Sequence, residues 1–448
     1  MELLYIADQN DQNQFHLHGS QVCPPVVGSR RQDNPPPVAD GLVEEIIELA
    51  LHGEGIAALV KDLEETILLS QNRIKDSYLY LQTTPGGVIR SARIQAGRIE
   101  LLAGGLNDRK RGVQILRLRL TRADYWEEFS RALALSNQNG REVWEGLTIR
   151  NHCDATSGHQ NFVDAAADEV HGTQPCPAEI RIVLPPDFPA ALLDCYIAAG
   201  FNLKGAGGAF EHVLEGEAGS PGSGCTGSSQ PADATCSGGS CARAEWTAQS
   251  EIALWNWTLS ATQLNYMWAG LFRPVMRLAA LPSAGIYLRW SVRSQSGGEL
   301  LRTAQAPLDP GRFLAPLPAL RLPPEAMGGG AYQPLEIHLL AESAAQGTKS
   351  LQIDFVHLLP AGSIQHLRPL GGLAAGNTLV SDSREGRVYA FETNGGGQHL
   401  SHLRTGGPIQ LQPGRENRIY FLFETAAGAP VDAQAQVMIF QRARVQQP

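Results

Sequence analysis

The residues in this sequence with the chemistry to do something are scattered. The stretch TRADYWEEF, residues 121–129, gathers Arg122, Tyr125, Trp126, Glu127 and Glu128 at the end of an alternating run, VQILRLRL. Arginine beside carboxylate makes charge-assisted hydrogen bonds, and tryptophan supplies apolar area, so the stretch suits a catalytic loop or an assembly edge. An internal role is equally open, with Trp126 capping its own domain and the charges solvated. Trp255 and Trp257 share one face at period 2, with Tyr266, Trp268, Tyr287 and Trp290 close by. They are candidate glycan contacts, although core packing is the preferred reading for such a pair. Asp354 and Glu336 lie on alternating runs where a glycosidase pair could sit, but the same alternation suits solvent-facing residues, and that reading is preferred.

The histidines and cysteines assemble into nothing stronger. HLH at 16–18 is a legal metal spacing, yet no Asp, Glu or Cys follows at a recognisable interval, so no metal is expected. His152, Cys153 and Asp154 are chain neighbours that point different ways, and they read as a surface turn rather than a nucleophile with its base. Cys225, Cys236 and Cys241 fit no zinc-ribbon spacing and no C-x-x-C. They read as structural thiols, or as a loop disulfide between two of them formed after release into an oxidising medium. No dinucleotide fingerprint, P-loop, G-x-S-x-G or H-E-x-x-H occurs, so no cofactor is expected and the chain reads as a non-enzyme.

At 448 residues the chain is long enough for two to four domains. Hydrophobic residues are 43% and charged residues 18%, which is a globular composition. A net charge of −9 without a basic block argues against nucleic acid as a partner. There is no basic n-region before an apolar run at the start, and no apolar run of about 18 residues, so neither a secretory signal nor a membrane helix is expected. An odd count of seven cysteines suits synthesis in a reducing compartment.

The elements that must position these residues divide by texture. QVCPPVVGSRRQDNPPPVADG is a proline-rich arm. LVEEIIELAL (42–51) reads as a strand with Val43, Ile47, Leu49 and Leu51 on one face. Ile56, Leu59, Val60, Leu63 and Ile67 then form one stripe at period 3.6, which predicts a helix. Strands follow at 77–84, 88–102 and 113–120, giving an α+β arrangement with the helix over one sheet face. After about 147 the chain turns to short strands with Gly/Pro turns, among them 178–184, 192–200, 252–259, 286–292, 335–341 and 351–359, which predict an antiparallel β-sandwich or jelly roll. EGEAGSPGSGCTGSSQPADATCSGGSCARAE is Gly/Ser-rich and predicts a mobile loop over 214–245. Beyond 366, three more strand-like stretches either stand alone or complete another domain. The fold class expected is therefore mainly β, with an α+β domain at 1–146, a sandwich at 147–365 and a further β region at 366–448.

The order LVEEIIELAL, GIAALVKDLEETILLSQ, SYLYLQTT, VIRSARIQAGRIELL, VQILRLRLTRADYWEE resembles the first domain of phage tail structural proteins of the distal tail, or baseplate hub, type. LQIDFVHLLPAG (351–362) resembles the close of a galectin-like or carbohydrate-module jelly roll, and GGPIQLQPGRENRIYFLFE (406–424) the ending of tail sandwiches. The resemblance covers about 40–145 by order of elements and the later parts by texture. It implies a virion tail protein, made in the host cytoplasm, that forms a homo-oligomeric ring through Arg122, Tyr125, Trp126 and Glu127 and meets neighbouring tail or baseplate proteins. It also implies a contribution to host-surface attachment, with Trp255 and Trp257 as the candidate glycan contacts. The alternatives are a carbohydrate-binding adhesin and, behind it, a glycoside-acting enzyme. The proline-rich arm and the Gly/Ser/Cys loop depart from a compact distal tail protein.

Overall fold

The computed structural model describes residues 3–446 except 9–10, 20–21, 40, 85, 104–112, 152–159, 202–211, 262, 265–269, 323–326, 329–330, 392–396, 399–401 and 427–432. The His152–Asp154 cluster, Tyr266 and Trp268 lie outside the described residues. The fold is mainly β, built from antiparallel sheets, as the alternation predicts. Its contacts divide it into two compact units.

The first unit comprises Met1–Arg131, His171–Cys176 and Arg442–Pro448. Its sheet runs in the order Phe15–His18, Leu3–Asp8, Ser77–Gln82, Arg90–Ala103, Gln114–Ala123, Leu42–Leu51, Val26–Arg31. The helix Ile56–Gln71 turns Ile56, Leu59, Val60, Leu63 and Ile67 inward, the predicted stripe, and packs over Ser77–Gln82 and Arg90–Ala103. Those side chains share one core with Ile47, Leu49, Leu51, Leu79, Leu81, Ile94, Leu116, Leu118 and Leu120. Helix and sheet are also tied by a polar link: Ser70 Oγ donates to Ile94 O (2.7 Å) and accepts from Ser77 N–H (3.1 Å). Both groups are buried, so each would be costly to leave unpaired.

The second unit, Ala132–Val170 and Pro177–Gln441, holds two sandwiches, one threaded into the other. The outer one pairs Cys176–Val183 with Gln434–Gln441 and Thr378–Asp382 in one sheet. Its second sheet centres on Asn417–Thr425, flanked by Phe162–Ala165 and Leu192–Phe201. Leu192–Phe201 then pairs with Ile364–Pro369, Ala198 opposite Ile364. The described strands between those two, apart from the separate pair Met327–Gly328 and Ala331–Tyr332, build the inner sandwich. One of its sheets carries Ala242–Trp246, Lys349–Pro360 and Leu271–Leu278, the other Ile252–Leu259, Leu335–Ser343 and Ile286–Ser294. The two sheets enclose a single core of Trp246, Leu254, Trp255, Trp257, Trp290, Ile337, Ile353 and their neighbours.

The strand pairings redraw the expected divisions. Residues 366–448 are not a separate region: Asn417–Thr425 and Gln434–Gln441 are central strands of the outer sandwich, and 147–365 is not one sandwich but parts of two. A sandwich built from strands far apart in sequence leaves no compositional seam at its true boundary. The segment 214–245 is also not a free loop. Val213–Glu215, Ser220–Pro221, Gly227–Ser229 and Ala242–Trp246 all pair with neighbouring strands. Two of its glycines are there for close approach: a Cβ on Gly216 would overlap the Ile353 carbonyl, and one on Gly219 would overlap Trp255 Nε1.

Candidate functional site

TRADYWEEF closes the first unit on itself. Arg122 extends from the end of Gln114–Ala123 into the interior and is almost fully buried. Its Nη2 lies 2.7 Å and its Nε 2.8 Å from Glu45 Oε2, and Nη1 donates to Ala123 O (2.6 Å). Arg31 reaches the same carboxylate from the neighbouring strand, Nε to Oε1 at 2.6 Å and Nη2 to Oε2 at 3.1 Å. Glu45 is fully buried, so one carboxylate is clamped by two guanidinium groups. Desolvation draws Arg122 below its ordinary pKa while Glu45 opposes it. Both arginines stack on Trp126, Arg122 at 4.4 Å and Arg31 at 5.3 Å from the ring centroid. Trp126 itself is 0% exposed and belongs to the helix–sheet core.

The next residues bind the chain's last strand. Trp126–Glu127 pairs with Arg444–Val445, Glu127 Oε1 accepts from Arg444 Nη2 (2.8 Å) and Nε (2.9 Å), and the Arg444 guanidinium lies over Tyr125 at 4.0 Å. Arg122, Tyr125, Trp126 and Glu127 therefore all have partners inside the unit. The expectation that they present an assembly edge is corrected by that: Trp126 and Arg122 have no surface to offer. A cleft of about 800 Å³ opens beside them, lined by Arg31, Asp33, Asp124, Thr83 and Gln446 together with part of Arg122 and Trp126.

A half-exposed face lies elsewhere on the same sheet. On the face away from the helix, Arg117 pairs with Glu48 (2.6 Å), Arg119 with Glu44 (2.9 Å) and Glu100 (3.1 Å), and Arg98 with Glu100 (3.0 Å). This charge ladder is half exposed. It ends where Arg90–Ala103 and Gln114–Ala123 run out, Leu101 opposite Leu116 and Ala103 opposite Ile115. There Leu101 and Leu102 are 44% exposed, Val113 50% and Ile115 37%. Sequence reading passed over these residues because Leu101 continues the alternation of a buried strand, whereas Ile115 falls in phase with Arg117 and Arg119 on the opposite face.

The glycan candidates are also placed in the interior. Trp255 is 1% and Trp257 4% exposed, and their indole N–H groups donate to Gly216 O (3.0 Å) and Glu215 O (2.7 Å). Both share a face, as period 2 predicts, but that face is the core, so neither can stack a sugar as placed. Trp144, 71% exposed in the turn before Leu147–Arg150, is the solvent-facing indole that sequence reading missed. Asp354, expected on a solvent face, is fully buried and ion-paired with Arg277. Glu336 is partly exposed and bonded to His338 (2.9 Å). His16 stacks on Tyr5 (5.0 Å) and His18 Nδ1 meets Ser29 Oγ (3.0 Å). Among the described residues no group of three His, Cys, Asp or Glu is placed to hold a metal ion, and no helix is long and apolar enough to cross a membrane.

Where the inner sandwich meets the outer one, a second polar cluster forms. Asp194 accepts from His366 Nε2 (2.6 Å) and Arg368 Nε (2.8 Å), and Arg312 Nη1 lies 3.1 Å from it as an ion pair. Burial works against its carboxylate, but the bonds from His366 and Arg368 outweigh burial and lower its pKa. Nearby Glu424 accepts from Phe313 N–H (2.9 Å) and Leu314 N–H (3.4 Å), and burial pushes its pKa up to about 7.

No protein-family model matches this sequence, and no curated protein is similar to it. Among solved structures, the chain is weakly similar to one in the phage P2 baseplate in its activated conformation with Ca, at 9% identity over 100% of both chains and a TM-score of 0.28. It is weakly similar to TmCBM61 in complex with beta-1,4-galactotriose, at 10% identity over 33% of this chain and 86% of that one, TM-score 0.18. A chain of infectious bursal disease virus Gt strain matches at 11% identity over 61% of this chain and 67% of that one, TM-score 0.19. Likeness at this level carries no argument about function.

Proposed function

We propose that this chain is a non-catalytic structural component of a phage or phage-derived tail or baseplate, assembled through its first unit into a homo-oligomeric ring that meets neighbouring tail proteins. The observation that carries the assembly reading is the apolar end of the paired strands Arg90–Ala103 and Gln114–Ala123. Leu101, Leu102, Val113 and Ile115 are each exposed there, Ile115 on the face that carries a ladder of alternating Arg and Glu and Leu101 on the helix side. Exposed apolar side chains at a strand end suit an interaction site, and the charges near Ile115 can set register with a partner. The tail assignment itself rests on the sequence resemblance of residues 40–145. In this reading the protein is made in the host cytoplasm and ends in the virion tail. Host-surface attachment, if the chain contributes to it, uses a surface other than Trp255 and Trp257.

Particle mass by light scattering and symmetry in electron micrographs test the reading. Wild type should form a closed ring, and Leu101→Glu with Ile115→Glu should leave a folded monomer. A wild-type chain that stays monomeric at high concentration, alone and with purified neighbouring tail proteins, overturns it and brings the adhesin reading forward.

A further inference from the structure

The Gly/Ser segment contains a built pair of thiols that the assembly reading does not use. Between Pro231 and Cys241 the chain folds back on itself. Asp233 Oδ1 accepts from Thr235 N–H (2.9 Å) and Oγ1 (2.7 Å), and Cys236 N–H donates to Asp233 O (3.0 Å). Gly239 N–H then returns to Cys236 O (3.1 Å), Asp233 N–H reaches Gly239 O (3.0 Å), and Cys241 N–H reaches Pro231 O (3.2 Å). Gly238 and Gly239 make the reversal at φ of 66° and 78°. The result buries both thiols in one turn, Cys236 2% exposed and Cys241 0%, near enough to interact. The turn is fixed from beneath: Ser237 N–H donates to Asp354 Oδ1 (2.7 Å), Ser237 Oγ to Glu215 Oε1 (3.1 Å), and Arg277 Nη1 to Thr235 O (3.2 Å). Cys225, the third cysteine of the segment, donates instead to Leu254 O (3.0 Å).

We propose that Cys236 and Cys241 are an oxidative modification site, closing to an intrachain disulfide when the protein passes from its place of synthesis into an oxidising medium. With a small-molecule disulfide as oxidant, and the turn transiently open, one of the two cysteines, as its thiolate, attacks one sulfur and releases the first small thiol. The other, deprotonated by solvent base, then displaces the second and forms the Cys236–Cys241 bond. Two protein thiols are oxidised and one small disulfide is reduced to two thiols. The bond staples the turn that seats Ser237 on Asp354.

The test treats the full chain with oxidised or reduced glutathione, alkylates remaining thiols in denaturant with iodoacetamide, and maps cysteines by mass spectrometry. Expected after oxidation is the loss of two hydrogens, with Cys236 and Cys241 protected and Cys225 alkylated, reversed by dithiothreitol. Cys225→Ser should behave as wild type, and Cys236→Ser should lose the bridge. The thermal midpoint of wild type, but not of Cys236→Ser, should rise on oxidation. Alkylation of both Cys236 and Cys241 after oxidation, or a bridge that uses Cys225, overturns the proposal.

Discussion

Glu45 is the most exacting single residue of the first unit. Its fully buried carboxylate serves Arg31 and Arg122 together, and both guanidinium groups stack on the buried Trp126. Removing one partner of a buried pair leaves the other charge without compensation, a loss of about 3–5 kcal/mol. Glu45→Ala should lower the free energy of unfolding measured in urea by that much, whereas Glu48→Ala, which breaks the half-exposed bond to Arg117, should cost about 0–1 kcal/mol. Equal effects would mean that burial does not set the value of these pairs. Glu424 gives a pH signature instead. Burial raises its folded pKa to about 7, so between the ordinary carboxylate range and pH 7 the folded chain holds a proton that the unfolded chain has released. Stability should therefore fall as pH rises through that window, by on the order of 3 kcal/mol. Glu424→Gln keeps an acceptor for Phe313 N–H and should flatten the fall in chemical denaturation followed from pH 4 to 8, roughly the range over which the shifted carboxyl titrates. A variant with an unchanged slope would assign it to another group.

At the scale of elements, the helix was legible because its register obeys one period. Ile56, Leu59, Val60, Leu63 and Ile67 are all buried, and Leu63 is 0% exposed against the sheet. Leu63→Ala should cost about 2–5 kcal/mol through lost contact and the cavity left behind. Circular dichroism in urea measures it, and a cost below about 1 kcal/mol would mean that the site collapses to fill the space. Strands were legible for the same reason, since LQIDFVHLL and IALWNWTL alternate. What alternation hides is which face looks outward: both faces of Lys349–Pro360 are buried, so Asp354 reads as solvent-facing while lying under the turn that holds Ser237. Trp255 and Trp257 were correctly put on one face, and their burial follows from backbone carbonyls at Glu215 and Gly216 that no local pattern announces. Glycine misled in the opposite direction. In the 214–245 segment Gly216 and Gly222 mark neighbouring backbone too close for a Cβ and Gly238 and Gly239 a reversal at positive φ, and composition alone cannot separate these from mobility.

For the whole molecule, the decisive feature is the nesting of one sandwich inside another. Leu192–Phe201 and Ile364–Pro369 are adjacent antiparallel strands, Ala198 opposite Ile364 and Ala199 N–H bonded to Ser363 O (2.8 Å). The inner sandwich thus leaves and re-enters its host at neighbouring points, which is the geometry a domain insertion requires. It has its own core, in which residues from Leu214 to Leu358 enclose four tryptophans, so residues 212–361 should fold alone and melt cooperatively. The host should pay for losing it. Phe162, Tyr196, Ala198, Tyr420 and Leu422 pack against Val275, Leu314, Phe355 and Leu359 of the insert, and Glu424 takes the Phe313 and Leu314 N–H groups. Replacing 202–362 by a short turn should therefore leave a folded outer sandwich with a lower thermal midpoint and newly exposed apolar surface that binds a hydrophobic dye. Two outcomes would count against this independence: an isolated 212–361 that shows no cooperative melt, or an excised chain as stable as the whole. The first would make the inner core dependent on its host, and the second would make the shared apolar joint energetically idle.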